Sequence, residues 1–143
     1  MVPVPRTVTR LLPAVAALAV VFALAGCSAA PGKPVADYAG EPKGVRPPAS
    51  SAGGASWAAW LKDGAQVAIV LYGSSSCPPK VASIAATGDD RITATPAPAP
   101  GGVCTRDYVP HTTVFTTPDR ITKTAQVSVV LPDATLALPA RQG

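Results

Sequence analysis

Residues 56–72 read SWAAWLKDGAQVAIVLY, two apolar runs parted by Lys62-Asp63-Gly64. Aspartate and glycine tolerate the positive φ that tight turns demand, so the stretch reads as a β-hairpin. A short helix capped by Ser56 and ended by Gly64 is the competing reading. The second run, QVAIVLY, is apolar on both alternating faces and is expected to be a central strand. Further along, KVASIAAT and RITAT flank Gly88-Asp89-Asp90 and repeat the hairpin logic. PAPAPGG (96–102) reads as a loop, and VCTRDYV (103–109) and TTVFTT (112–117) as strands. AQVSVVL (125–131) sets Gln126 and Ser128 against Val127, Val129 and Leu131, the alternation of a half-buried strand. The tail from Pro132 offers a last edge strand. About six or seven short strands without a long helix argue an all-β domain. The expected architecture is a small disulfide-stapled β-sandwich, immunoglobulin-like, or a barrel. Trp57, Trp60, Tyr72, Tyr108 and Phe115 are the aromatic candidates for its core. The spacing of the two tryptophans would place them on opposite faces of a strand.

The first residues have a different texture. MVPVPRTVTR carries Arg6 and Arg10 and no acid, and Leu11–Gly26 then runs without a charge. A basic start, an apolar stretch and small residues at the exit describe a secretory signal peptide over residues 1–26. The run falls short of the roughly 20 residues that span a bilayer. Its exit, Leu24-Ala25-Gly26-Cys27, looks like the lipobox of bacterial lipoproteins at all four positions. That resemblance implies a diacylglyceryl thioether on Cys27, cleavage before it, and further acylation with chains such as palmitate. Thiolate nucleophilicity suits the alkylation, and two or three acyl chains make the attachment stable. The expected location is the extracytoplasmic face of the cell membrane.

Residues 28–55 hold five Pro and five Gly among many Ala and Ser, with Tyr38 as the one aromatic. Such composition buries too little apolar surface to offset ordering entropy. Residues 27–55 are therefore expected to be a disordered tether reaching about 30 Å, with the β-domain confined to 56–143. The precursor's net charge of +4 falls to about +2 once Arg6 and Arg10 leave with the signal. So mild and scattered a charge excludes nucleic acid as an expected partner.

With Cys27 taken by lipid, Cys77 and Cys104 remain as an even pair in an oxidising compartment. One disulfide between them would contribute about 3 to 4 kcal/mol; two unpaired buried thiols are the alternative. Cys77 lies in YGSSSCPPK (72–80), where Gly73-x-Ser75-x-Cys77 superficially matches the start of a nucleophile elbow. The elbow's last glycine is missing, and Pro78-Pro79 forbids the helix that should follow. The single histidine, His111, would have to act as base for Ser74 or Ser75, so a serine hydrolase is the remote alternative. Cys77, Cys104, Asp107 and His111 match no familiar zinc spacing, and a disulfide would remove both thiols. Asp89-Asp90 sits in an expected turn and Glu41, the one glutamate, in the expected tether. No metal or cofactor is expected, and no enzymatic activity.

YGSSSCPP and the later CTRDYVPHTTVF together resemble small secreted lipoproteins of actinobacteria that carry a GSSSCP segment. The resemblance covers roughly residues 57–131 and implies an architecture and an envelope location, not a reaction. The function expected is therefore a lipid-anchored binding or structural module with an envelope protein or glycan as partner. An accessory or ligand-binding component of an envelope transporter or sensor is the alternative.

Overall fold

The computed structural model describes residue 3 and residues 30–142. Cys27 and, apart from residue 3, the expected signal peptide lie outside the described residues. Eight strands form: β1 (Pro34–Ala39), β2 (Trp57–Leu61), β3 (Gln66–Gly73), β4 (Val81–Ala86), β5 (Arg91–Pro96), β6 (Val109–Thr116), β7 (Val127–Val130) and β8 (Thr135–Leu138). They make two four-stranded sheets, ordered β1-β6-β3-β2 and β4-β5-β7-β8. This is a sandwich rather than a barrel. Every pairing is antiparallel except β5 with β7. Immunoglobulin-type sandwiches are built from two antiparallel sheets ordered ABED and CFG; the parallel β5–β7 pair and both strand orders depart from that pattern.

The opening hairpin is β2–β3, in register from Trp57↔Val70 to Leu61↔Gln66. Its turn carries positive φ at Lys62, Asp63 and Gly64 (47°, 54° and 83°). Glycine suits position 64 because its φ of 83° lies in the left-handed region that side-chain-bearing residues rarely adopt. The β4–β5 hairpin forms around Gly88-Asp89-Asp90 as expected, and β7 buries Val127 and Val129 while Ser128 is half-buried. The tail adds β8 as the edge strand beside β7. VCTRDYV departs from expectation: only Val109 joins β6. Thr105 and Asp107 bond across to another loop instead, the side-chain competition that draws such residues out of ladders.

The two sheets enclose one apolar core. Sheet β1-β6-β3-β2 contributes Ala58, Val67, Ile69 and Phe115; the facing sheet contributes Val81, Ile84, Ile92, Val127, Val129 and Leu138. Trp57 and Trp60 do lie on opposite faces of β2. Trp60 packs against the main core and donates its Nε1–H to the Pro139 carbonyl at 2.7 Å. Trp57 belongs to a second cluster with Ala59 and Val70 on the outer face of the same sheet. Tyr108 corrects the core expectation, since it is 63% exposed.

The largest correction concerns the tether. Residues 34–39, expected to be disordered, form β1 and pair with β6 from Pro34↔Phe115 to Ala39↔His111. Ahead of β1, Gly32 exchanges two backbone hydrogen bonds with Ile84 of β4, at 2.7 and 3.0 Å. Behind it, residues 40–55 lie over the outer cluster, where Val45 packs on Trp57, Ala59 and Val70. The Thr112 hydroxyl donates to the Gly40 carbonyl at 2.6 Å, and the Tyr72 hydroxyl donates to Glu41 at 2.5 Å. Sequence composition missed this because β1 buries none of its own side chains. It is held by main-chain hydrogen bonds to a sheet edge, which any non-proline residue can make.

Candidate functional site

Strand directions sort the turns to two ends of the sandwich. At one end lie the β2–β3 turn, the β4–β5 turn and residues 117–126; at the other lie residues 40–56, 74–80, 97–108 and 131–134. All the chemistry singled out in YGSSSCPPK sits at the second end.

There β3 stops at Gly73 because Pro79 packs on it: a Cβ at residue 73 would lie 2.8 Å from the proline ring. The chain then reverses through Ser74-Ser75-Ser76. The Cys77 backbone N–H donates to Ser74 Oγ at 3.3 Å, closing a serine turn. Opposite, Cys104 is disulfide-bonded to Cys77 with 5.4 Å between the α-carbons. Around that bond the two loops are laced together. Ser74 Oγ and Thr105 Oγ1 share a hydrogen bond at 2.7 Å, Thr105 N–H donates to Ser76 Oγ at 2.9 Å, and Ser75 N–H donates to Asp107 Oδ1 at 3.0 Å. The Thr105 hydroxyl also donates to Asp107. Hydrogen bonds from Ser75 and Thr105 hold the Asp107 carboxyl down to about 2, so it stays ionised and keeps accepting them.

Next to this brace is a cleft of about 340 Å³. Pro78, Pro79, Pro96, Pro98 and Pro100 line it, together with Leu71, Tyr72, Lys80 and Asp133. Proline walls have few torsions to freeze, so the cleft is pre-shaped. At the same end of the sandwich the β5–β6 loop presents Val103, 99% exposed, and Tyr108, whose ring stacks on Tyr72 at 5.6 Å between centroids. Tyr72 is thus the hinge of the region. Its hydroxyl holds Glu41, and that hydrogen bond, with burial, raises its pKa above 10.0. The indole N–H of Trp57 lies beside the same hydroxyl but short of hydrogen-bond geometry, leaving a buried donor without a partner.

His111 is elsewhere. It is 7% exposed and sits in the β6 register opposite Leu71, with Nε2 3.0 Å from Asp37 Oδ1. Lys80 Nζ holds the same oxygen at 2.7 Å. Partial burial of Asp37 opposes its charge, but the hydrogen bonds from Lys80 and His111 outweigh this and lower its pKa. Charged side chains on an edge strand also disfavour edge-to-edge association. Among the described residues the serine hydroxyls bond to Thr105, to the Cys77 backbone and sulfur, and to one another, while His111 bonds to Asp37. The structure therefore brings Cys77, Cys104, Ser74–Ser76 and Asp107 together and pairs His111 with an acid, without joining the two groups. No cluster of three metal-ligating side chains occurs among the described residues, and no helix there is long and apolar enough to cross a membrane.

Sequence reasoning missed Thr105, Glu41 and Asp37. Thr105 and Asp107 flank Arg106 just after the second cysteine, and that hydroxyl–carboxylate spacing is the signal that marks a side-chain brace. Glu41 and Asp37 carried no comparable signal, because each works through a partner many residues distant. Comparison with family models, with curated proteins and with solved structures finds no match to this chain.

Proposed function

We propose that this protein is a lipid-anchored cell-envelope module, held in the membrane through Cys27, that binds a partner with its disulfide-braced end and performs no covalent chemistry. One observation carries the reading. The most exposed large apolar side chains at that end, Val103 and Tyr108, stand on loops fixed by a disulfide and a dense hydroxyl network, beside a proline-walled cleft. Surface apolar groups on rigid loops lose little entropy on binding, which is the usual design of a contact surface. The non-enzymatic part is supported by the serine hydroxyls, which bond to one another and to Thr105 rather than to His111.

A photo-crosslinking residue at Val103 in intact cells tests the reading. Discrete adducts are expected, and they should be absent when the crosslinker is moved to Asp89 at the opposite end. Identical adduct patterns from both positions would defeat the assignment of the binding end. In the same cells Cys27→Ser should release the domain from the membrane fraction; a processed variant that stays membrane-bound would refute the anchor. A fluorophosphonate probe should leave Ser74, Ser75 and Ser76 unlabelled, and labelling that vanishes in His111→Ala would instead establish the hydrolase alternative.

A further inference from the structure

The tether's incorporation into the fold changes where an anchored domain must stand. We infer that the sandwich rests against the bilayer headgroups by its β2–β3 and β4–β5 turns, with the disulfide-braced end facing outward. This rests on acylation of Cys27 as proposed above.

Gly32 is fixed to Ile84 by two backbone hydrogen bonds, and Pro34 opens β1 opposite Phe115. Only the segment from Cys27 to Gly32 is left to connect lipid and domain. Fully extended, its five residue steps reach at most about 18 Å. A free tether running to residue 55 would have allowed about 30 Å on average and far more when stretched. The leash is therefore shorter than the sandwich itself, since the eight residues of β3 alone span about 24 Å.

The point of attachment decides which end faces the lipid. Pro34 pairs one residue before the end of β6, and Gly32 pairs near the end of β4, so the chain enters at the end bearing Lys62–Gly64 and Gly88–Asp90. A sandwich tethered there cannot turn its other end to the bilayer without breaking β1 from β6. The surface chemistry agrees. Lys62, Asp63, Asp89, Asp90, Arg91, Asp119 and Arg120 are all exposed at the near end, a mixed-charge face that suits contact with zwitterionic headgroups but not insertion. Val103 and Tyr108 stand at the far end, so the apolar contact surface is offered to a partner beyond the membrane rather than to lipid.

The test uses the full lipidated chain in nanodiscs containing a small fraction of gadolinium-chelate headgroup lipid, read by amide NMR. Signals of Lys62, Gly88 and Asp89 should lose intensity several-fold relative to Gly101, Gly102 and Val103. Inserting a long Gly/Ser segment after Ala29 should erase that gradient. Equal broadening at both ends, or stronger broadening at Val103, would overturn the inference. Intact-mass analysis of the same sample separates the two levels. Acyl chains on Cys27 without a gradient sink the orientation alone, whereas an unmodified Cys27 sinks the anchor and the orientation together.

Discussion

Two proline- and glycine-rich regions of this chain look alike in composition and are stabilised in opposite ways. The sequence reads residues 27–55 as a disordered tether, 74–80 and 96–102 as loops, and 103–109 as a strand. Residues 74–80 and 97–102 do form loops, whereas residues 34–39 become β1 and of 103–109 only Val109 joins a strand. The N-terminal region gains its order from outside itself. It lends main-chain donors and acceptors to the edge of β6 and to Ile84, and covers Trp57, Ala59 and Val70 with Val45. The loop region is ordered from within, by one covalent bond and the hydroxyls of Ser74, Ser76 and Thr105. The difference teaches that composition reports what a segment can bury of itself, and is silent about which edge it can complete.

The harshest way to break the comparison is to remove the N-terminal region. A chain beginning at residue 56 should lose on the order of 5 kcal/mol, because the outer face of the β6-β3-β2 sheet is uncovered and β6 becomes a bare edge. That is comparable to the whole stability of many small domains, so circular dichroism and NMR should report an unfolded or aggregating chain. A truncated domain that melts cooperatively near the full-length temperature would restore residues 30–55 to the status of a tether.

The second break is chemical. Cys77→Ala with Cys104→Ala should cost about 2 to 5 kcal/mol through loop-closure entropy. Because the hydroxyl lacing remains, the sandwich should still fold, with the damage concentrated in faster amide exchange over residues 97–108. Uniform loss of protection across both sheets would mean that the brace supports the core and not only its own end. Retention of wild-type stability would mean that the serine and threonine hydroxyls suffice alone.

Against these two regions, what the sequence disclosed has a clear physical boundary. The β2–β3 hairpin was legible because the turn chemistry of Asp63-Gly64 and the apolar runs beside it are local. The disulfide was legible from the cysteine count and the oxidising compartment that the N-terminal residues lead one to expect. β1 was not, since PVADYA has neither alternation nor buried side chains, and its partner lies in a strand more than seventy residues away. Tyr108 misled for the converse reason: an aromatic in a strand-like run suggests core, whereas the Cys104 bond and the Thr105 and Asp107 contacts hold its segment off the sheet. Of the candidate site, the serines and cysteines were visible as a cluster, but their cross-loop partners were not.

Tyr72 is where the two regions meet, and it gives the smallest and sharpest of these tests. Its hydroxyl bonds to Glu41 of the N-terminal region, while its ring stacks on Tyr108 of the braced loops. Glu41→Gln keeps an acceptor but removes the charge, so the loss should be only about 1 kcal/mol at neutral pH. The pH dependence is more telling. The Glu41 hydrogen bond raises the folded-state pKa of Tyr72 above 10.0. Stability from this tie is therefore fully present below the unfolded value and is lost as pH rises through the higher folded one. Glu41→Gln should bring the Tyr72 titration, followed by phenolate absorbance in a Tyr38→Phe, Tyr108→Phe background, back toward 10. It should also flatten the alkaline decline in stability. If the N-terminal region and the braced loops are independent, Glu41→Gln and the double cysteine substitution should add within experimental error, as separated sites do. Because Tyr72 touches both, we expect them to fall short of additivity: once the loops loosen and Tyr108 moves, the hydroxyl is less firmly aimed at Glu41 and there is less to lose. Strict additivity would show that the tyrosine stack carries no coupling and that the two regions share an end of the sandwich without sharing a fate.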